Sequence, residues 1–341
     1  MQDDLFGAPP LPAPVPPRKR APEQVRAAPA DAALAALAAA LPPQLRLGTS
    51  SWAYPGWNGL VWDGDYPDAV LSKHGLAAYA QHPLLRCVSI DRSFYRPLTA
   101  SQYGHYAAQV PADFRFVVKA PSLVTDALVR GEDGRGRQAN TAFLDPELAL
   151  REFVQPALDG LGAKVGALVF QLSPLPLAQL DRWPALLRRL RAMLLAQPGL
   201  APTAPDGVLA VEVRDPECLT PEFAAVLREA GATYCLGLHA KMPRLEAQLP
   251  LLRALWPGPL VCRWNLNPLH GAYGYEEAQA VYSPYDKIVD PDPETRALLA
   301  RTIAGITGAG QNAFVTVANQ AEGCAPLSVR ALAQLVAQSP R

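Results

Sequence analysis

Eight short apolar runs, each followed by a helix-like stretch, predict an α/β fold: a (β/α)8 TIM-like barrel behind a disordered N-terminal tail. Three observations carry that prediction. The runs alternate with helical patterns from residue 44 to residue 339, an ordinary length for one such barrel. They are almost continuously apolar, as strands covered on both faces require. Nearly every run also ends in a hydrogen-bonding or ionisable side chain. A doubly wound open sheet is the runner-up, but no G-x-G-x-x-G or G-x-x-x-x-G-K-[ST] stands at a strand–helix junction.

Residues 1–43 are compositionally distinct. Pro and Ala dominate Ala8–Pro29, interrupted by the basic Arg18-Lys19-Arg20, and this segment lacks the apolar content to offset chain entropy. Asp31–Leu41 can form a short helix capped by Asp31 and stopped by Pro42-Pro43. The strands are then expected at Leu45–Ser51, Arg86–Ser93, Phe114–Ala120, Val165–Leu172, Val208–Arg214, Thr233–His239, Leu260–Asn265 and Ala313–Asn319. Between them lie helix-like stretches such as Asp68–Gln81, Pro146–Leu161, Leu177–Leu195, Pro221–Ala230, Arg244–Leu255 and Pro293–Ile306. Thr220-Pro221 through Gly231 shows the start and stop signals most plainly.

Bulk properties exclude several classes. With 31 basic and 31 acidic residues, no global field draws the chain to nucleic acid or a membrane. The five cysteines are scattered without a C-x-x-C pair, which argues against a disulfide framework or zinc knuckle and for buried small hydrophobes. The start, Met-Gln-Asp-Asp, lacks the basic and apolar regions of a signal peptide, so a cytoplasmic location is expected.

Barrel interiors are packed, so polar strand ends belong at the open carboxyl rim. Lys119 ends the third run, Gln171 the fourth, and Glu212 with Arg214 the fifth; His239, Arg263 with Asn265, and Asn319 end the next three. Ser50 and Asp91 occupy the same place in the first two. Taken singly, each could be an ordinary strand end meeting solvent. Together they form a mouth suited to an anionic or polyhydroxylated ligand. Glu212 is then the leading acid/base candidate, with Asp91 and His239 as further proton-transfer groups and Lys119 and Arg214 as charge stabilisers. Ser50, Gln171, Arg263, Asn265 and Asn319 would bind the ligand. Lys119 could alternatively form a Schiff base, although nothing in the sequence specifies a carbonyl substrate.

Glu212, His239 and Asp91 are ligand types for a metal; no close pair such as H-x-x-H supports one, but barrel sites draw ligands from different strands, so a metal stays an alternative to the expectation of no cofactor. His74, His82 and His105 fall in helical stretches and read as surface or packing residues. Trp52, Tyr54, Trp57 and Trp62 crowd the first loop, Phe94 and Tyr95 the second, and Tyr273, Tyr275, Tyr282 and Tyr285 follow the seventh run. Tyr282 and Tyr285 read as packing; Trp52 and Tyr95 are candidates for stacking on a ring as well as for packing.

Several motifs resemble the YecE-like family, domain-of-unknown-function family 72, over about residues 45–337. They are Gly48-Thr49-Ser50-Ser51-Trp52 with Trp57-Asn58-Gly59 and Tyr66-Pro67, Ser93-Phe94-Tyr95-Arg96-Pro97, Phe116-Val117-Val118-Lys119-Ala120, Val169-Phe170-Gln171-Leu172, Val211-Glu212-Val213-Arg214 and Asn319-Gln320-Ala321-Glu322-Gly323. The resemblance implies a TIM-like barrel in a bacterial or archaeal cytoplasmic protein, with no established reaction. The chain departs from the family pattern where Asp91 replaces an Asn and Asp126 a His, where Leu238-His239 displaces an Asp, and where Arg263-Trp264-Asn265 replaces Arg-x-His-Gly. If those positions catalyse, activity in this member is altered.

Gln2-Asp3-Asp4-Leu5-Phe6 resembles the Q-x-[SD]-L-F peptide by which bacterial proteins dock on the replicative sliding clamp. Leu5 and Phe6 would enter an apolar cleft while the Gln2 amide bonds at its rim. The functional expectation is a rim-located acid/base enzyme. The alternative is a non-catalytic binding module tethered to the clamp.

Overall fold

A computed structural model describes residues 24–130, 136–271 and 273–339; the Gln2–Phe6 peptide lies outside them. Eight parallel strands close into a barrel. They are β1 (Leu45–Thr49), β2 (Cys87–Ile90), β3 (Arg115–Lys119), β6 (Val165–Gln171), β7 (Val208–Glu212), β8 (Thr233–Leu238), β9 (Leu260–Trp264) and β10 (Ala313–Val317). Between β3 and β6 an antiparallel pair, β4 (Leu128–Arg130) and β5 (Gly136–Ala139), forms a separate small sheet. β1 closes the barrel on β10, with Leu45 opposite Ala313 and Thr49 opposite Val317. Each of the eight expected runs contains one barrel strand.

Strand periodicity explains how one sequence makes both a dry core and a polar mouth. Val117, Ala167, Val169, Ala210, Cys235, Val261 and Phe314 form an apolar cluster of their own, apart from the larger cluster of strands and helices. Two residues further along the same strands, on the same face, stand Lys119 after Val117, Gln171 after Val169, Glu212 after Ala210 and Arg263 after Val261. Inward-pointing side chains therefore change from apolar to polar within one step toward the carboxyl end.

Helices cover the outside, and their boundaries follow local chemistry. Thr220 accepts from the Phe223 N–H at 3.3 Å to start Pro221–Glu229, and Gly231, at φ +63°, ends that turn. Asp292 accepts from the Thr295 N–H at 3.0 Å at the head of Pro293–Gly308. The stretch expected as one helix at Pro146–Leu161 is α-helical at both ends and widens into a π-turn at Leu150–Val154. Pro156 explains the change: it has no N–H to give the carbonyl four residues back. The helices Ala100–Ala107 and Ala325–Gln338, after β2 and β10, also belong to the cover.

The expected tail boundary at residue 43 falls differently. Val25 is buried, the Ala28 N–H donates to the Val61 carbonyl at 2.9 Å, and Arg26 pairs with Asp63 at 2.7 Å. Ala32–Ala40 is a helix whose cap, Asp31, accepts from the Leu34 N–H at 2.6 Å, and it contacts Ala325–Gln338. Residues 24–41 thus belong to the barrel's outer layer. All five cysteines are buried free thiols, as expected; burial pushes Cys87 up to about 12 and Cys324 to about 11. Among the described residues no helix is long and apolar enough to cross a membrane.

Candidate functional site

The register of the strands sets the geometry of the mouth. Gln171 lies beside Glu212 across β6 and β7, and Gly237 lies beside Arg263 across β8 and β9. A Cβ at Gly237 would come within 3.3 Å of Glu212 Oε1, so the bare glycine leaves the space the carboxylate occupies. The β7–β8 pairing stops at Val211 and Tyr234, one residue before Glu212.

Glu212 is fully buried and holds two guanidinium groups. Arg214 Nη2 lies 2.7 Å from its Oε1 and Arg263 Nη1 lies 2.7 Å from its Oε2. The Arg263 contact is an aligned hydrogen bond; the Arg214 contact is an ion pair without an aligned N–H. Burial pushes the Glu212 pKa up, but the two arginines outweigh burial and hold it below the usual carboxylate range. Arg263 is nearly as deep. It donates to Gln171 Oε1 at 2.9 Å and to Asp91 Oδ2 at 2.6 Å. Burial works against its charge, but Asp91 and Glu212 raise its pKa further above the ordinary value. Asp91 also accepts from the Ser89 hydroxyl at 2.6 Å, and Arg214 donates to Gln171 Oε1 at 3.1 Å.

Above this buried layer opens a cavity of ≈ 530 Å³. Ser50, Asp91, Tyr95, Lys119, Gln171, Arg214, His239, Arg263 and Asn265 line it, so nine of the twelve residues expected at the site come together. Three do not reach its surface. Glu212 lies beneath the guanidinium groups. Trp52 packs edge-on against Tyr106, at 5.6 Å between ring centres, as core. Asn319 is fully buried, its oxygen accepting from Trp57 Nε1 at 3.2 Å and from the Ala325 N–H at 2.9 Å. It ties the end of β10 to the first loop and the last helix.

Lys241, Tyr273, Tyr275 and Gln320 also line the cavity, and the strand-end pattern did not nominate them as site residues. They come from the segments after β8, β9 and β10, with Tyr275 at the head of the helix Tyr275–Tyr282. The crowding of tyrosines after β9 was the only signal for two of them. Lys241 Nζ lies 4.1 Å from the centre of the Tyr273 ring, and both side chains extend the mouth outward. Tyr282 is core as expected, its hydroxyl donating to Asp290 Oδ2 at 2.8 Å and meeting His270 Nε2 at 2.7 Å. Tyr285 is also buried.

The lining presents donors. Gln171 Oε1 already accepts from both arginines, so the cavity-side group left to it is its NH2. His239 Nδ1 accepts from the Lys241 N–H at 3.0 Å, which assigns the ring proton to Nε2. Burial, then Arg214, pushes His239 down to about 4, so it is neutral at physiological pH and can donate one hydrogen bond. Lys119 Nζ sits 3.5 Å from the centre of the Phe94 ring, with no hydrogen bond or ion pair among the described residues. Burial, then Arg263, lowers its pKa to about 7. No cluster of His, Cys, Asp and Glu among the described residues could hold a metal.

Residues 46–341 match the sequence profile of a family described as a protein of unknown function, DUF72. The chain is a member of the DUF72 family. No curated protein matches it. Among solved structures, a DUF72 protein from Enterococcus faecalis V583 aligns over 87% of this chain and 97% of its own at 17% identity, with a TM-score of 0.53. A DUF72 protein from Thermotoga maritima MSB8 aligns over 85% and 97% at 17% identity, with a TM-score of 0.50. At these identities the likeness concerns the fold. At the end of β2, Asp91 supplies a charged partner for Arg263. Asp126 is buried and accepts from the Leu128 N–H at 3.3 Å.

Proposed function

We propose that this DUF72 barrel is an enzyme for a small anionic ligand, phosphorylated or sugar-like, bound at the carboxyl rim and processed by acid/base chemistry. The observation that carries this reading is the polarity of the lining. Lys119, Lys241, the Gln171 NH2, the His239 Nε2–H and the outer edge of Arg214 are all donors around one cavity. The carboxylates nearby are already engaged, Glu212 by two arginines and Asp91 by Arg263. Donors fixed before the ligand arrives stabilise negative charge without reorganisation.

Roles follow from depth. Glu212 positions the guanidinium groups from below and keeps its charge. Lys119, which titrates near neutrality, is the proton-transfer group. Tyr95 and Tyr273, both largely exposed at the mouth, offer faces to a ring. The buried free cysteines accord with a reducing, cytoplasmic setting.

A thermal-shift screen of anionic metabolites against uncharged counterparts tests the reading, because a ligand of the folded state raises Tm. Anionic compounds should stabilise the protein, and Arg214→Met should abolish the shift. Equal shifts from uncharged compounds, or shifts unchanged in Arg214→Met, would refute it.

A second proposal rests on a different segment. Gln2-Asp3-Asp4-Leu5-Phe6 would tether the barrel to the bacterial sliding clamp, which suits a non-catalytic module in DNA maintenance equally well.

A further inference from the structure

We propose that Lys119 is a nucleophile: its amine forms an imine with the carbonyl carbon of a small anionic aldehyde or ketone held at the barrel mouth. This rests on the anion-binding reading above and adds a substrate class and a covalent step to it.

The surroundings of the amine set its reactivity. A lysine at a strand end ordinarily keeps its charge by pairing with a carboxylate. Two carboxylates are close enough to influence Lys119, Asp91 and Glu212, and arginines have claimed both. Its nitrogen instead lies against the Phe94 ring. Lys164 makes the contrast, since its ammonium donates to the carbonyls of Ala107 and Val110, both at 2.6 Å. The charged groups facing Lys119 are Arg263 and Arg214, which disfavour the ammonium, and Asp91 and Glu212, which favour it. Burial tips the balance, so a substantial fraction is free amine at neutral pH. The amine is on the cavity wall and accessible to a ligand.

The chemistry needs nothing the site lacks. The Nζ lone pair attacks the carbonyl carbon, and the C=O π electrons move to oxygen, which takes up a proton. The carbinolamine then expels that oxygen as water while C=N forms and nitrogen gives up its protons. The sum is amine plus carbonyl giving imine plus water, with no oxidant or reductant. Arg214 and the Gln171 NH2 would hold the anionic end. The His239 Nε2–H would donate a hydrogen bond to the carbonyl or carbinolamine oxygen.

The test incubates the full chain with glyoxylate or glycolaldehyde phosphate, then adds sodium borohydride, which reduces an imine to a stable secondary amine. Peptide mass spectrometry locates the adduct, and thermal shift without borohydride reports binding. The expected result is one adduct, on Lys119, forming at least about tenfold faster with glycolaldehyde phosphate than with glycolaldehyde, a margin that one favourable ionic contact supplies. Its rate should rise through a midpoint near pH 7. Lys119→Arg, which places a permanent cation there without a nucleophilic amine, should bind glycolaldehyde phosphate without forming the adduct. Labelling spread over the lysines by exposure, or a Tm rise with no Lys119 adduct, overturns the nucleophile while leaving anion binding in place. Neither adduct nor shift with any anionic compound overturns both.

Discussion

Glu212→Gln isolates the buried charge on which the mouth depends. The substitution preserves shape but removes the negative charge shared by Arg214 and Arg263, each 2.7 Å away. Glu212 has no solvent exposure and Arg263 only 3%, so water cannot replace the lost partner. Removing one member of a buried ion pair costs about 3–5 kcal/mol, because Arg214 and Arg263 stay in place with only Asp91 left as a charged partner. At ~2 °C per kcal/mol for a long chain, the Tm should fall by ~6–10 °C. A second effect follows from the same field. Glu212 raises the Lys119 pKa, so its neutralisation should lower that pKa further below about 7. Urea denaturation followed by circular dichroism measures the first effect, and NMR titration of the Lys119 side chain the second. A stability loss under ~1 kcal/mol together with an unmoved Lys119 titration would refute the reasoning, since a buried pair cannot be both strong and dispensable.

Three other outcomes are expected. His82 and His239 are both pushed down to about 4 by burial, from an ordinary value of 6.5. Between those limits the unfolded chain binds more protons than the folded one, so stability should fall as pH drops from 6.5 to 4. His239→Asn should flatten that slope in a series of denaturation curves. Asp31→Ala should cost about 1 kcal/mol locally by leaving the Leu34 N–H uncapped. Hydrogen exchange at Ala32–Ala40 should quicken while the barrel strands keep their protection. A peptide spanning residues 1–12 should bind purified sliding clamp at micromolar concentration, and Leu5→Ala with Phe6→Ala should abolish the signal; no binding by fluorescence polarisation would dismiss the tether.

What could be read from the sequence follows strand parity. Val117 and Lys119, Val169 and Gln171, and Val261 and Arg263 each show an apolar interior residue and a polar rim residue two apart. That pattern located both the barrel and most of its mouth. Depth was not legible. Glu212 and Arg214 share a face, but only the space over Gly237 and the approach of Arg263 place the carboxylate beneath the cavity. Asn319 and Trp52 look like rim residues by position, yet the Trp57 indole and the Tyr106 ring draw them into packing. Lys241 and Gln320 come from loops, where no period dictates direction. Within 24–41 the helix and its Asp31 cap were legible, but the attachment of the segment to the barrel was not. Its Pro and Ala content carries little apolar area, but small side chains can lie close against a neighbouring helix, and a single buried Val25 anchors its start.

The central claim is that side chains far apart in the chain converge into one site built for an anion. Crystals soaked in tungstate, a phosphate-sized anion with a strong anomalous signal, would test it most directly. The account predicts an anomalous peak inside the mouth, within hydrogen-bond reach of the Arg214 guanidinium and the Gln171 NH2. An empty mouth with peaks elsewhere, or guanidinium groups released from Glu212 and turned away from the cavity, would contradict it.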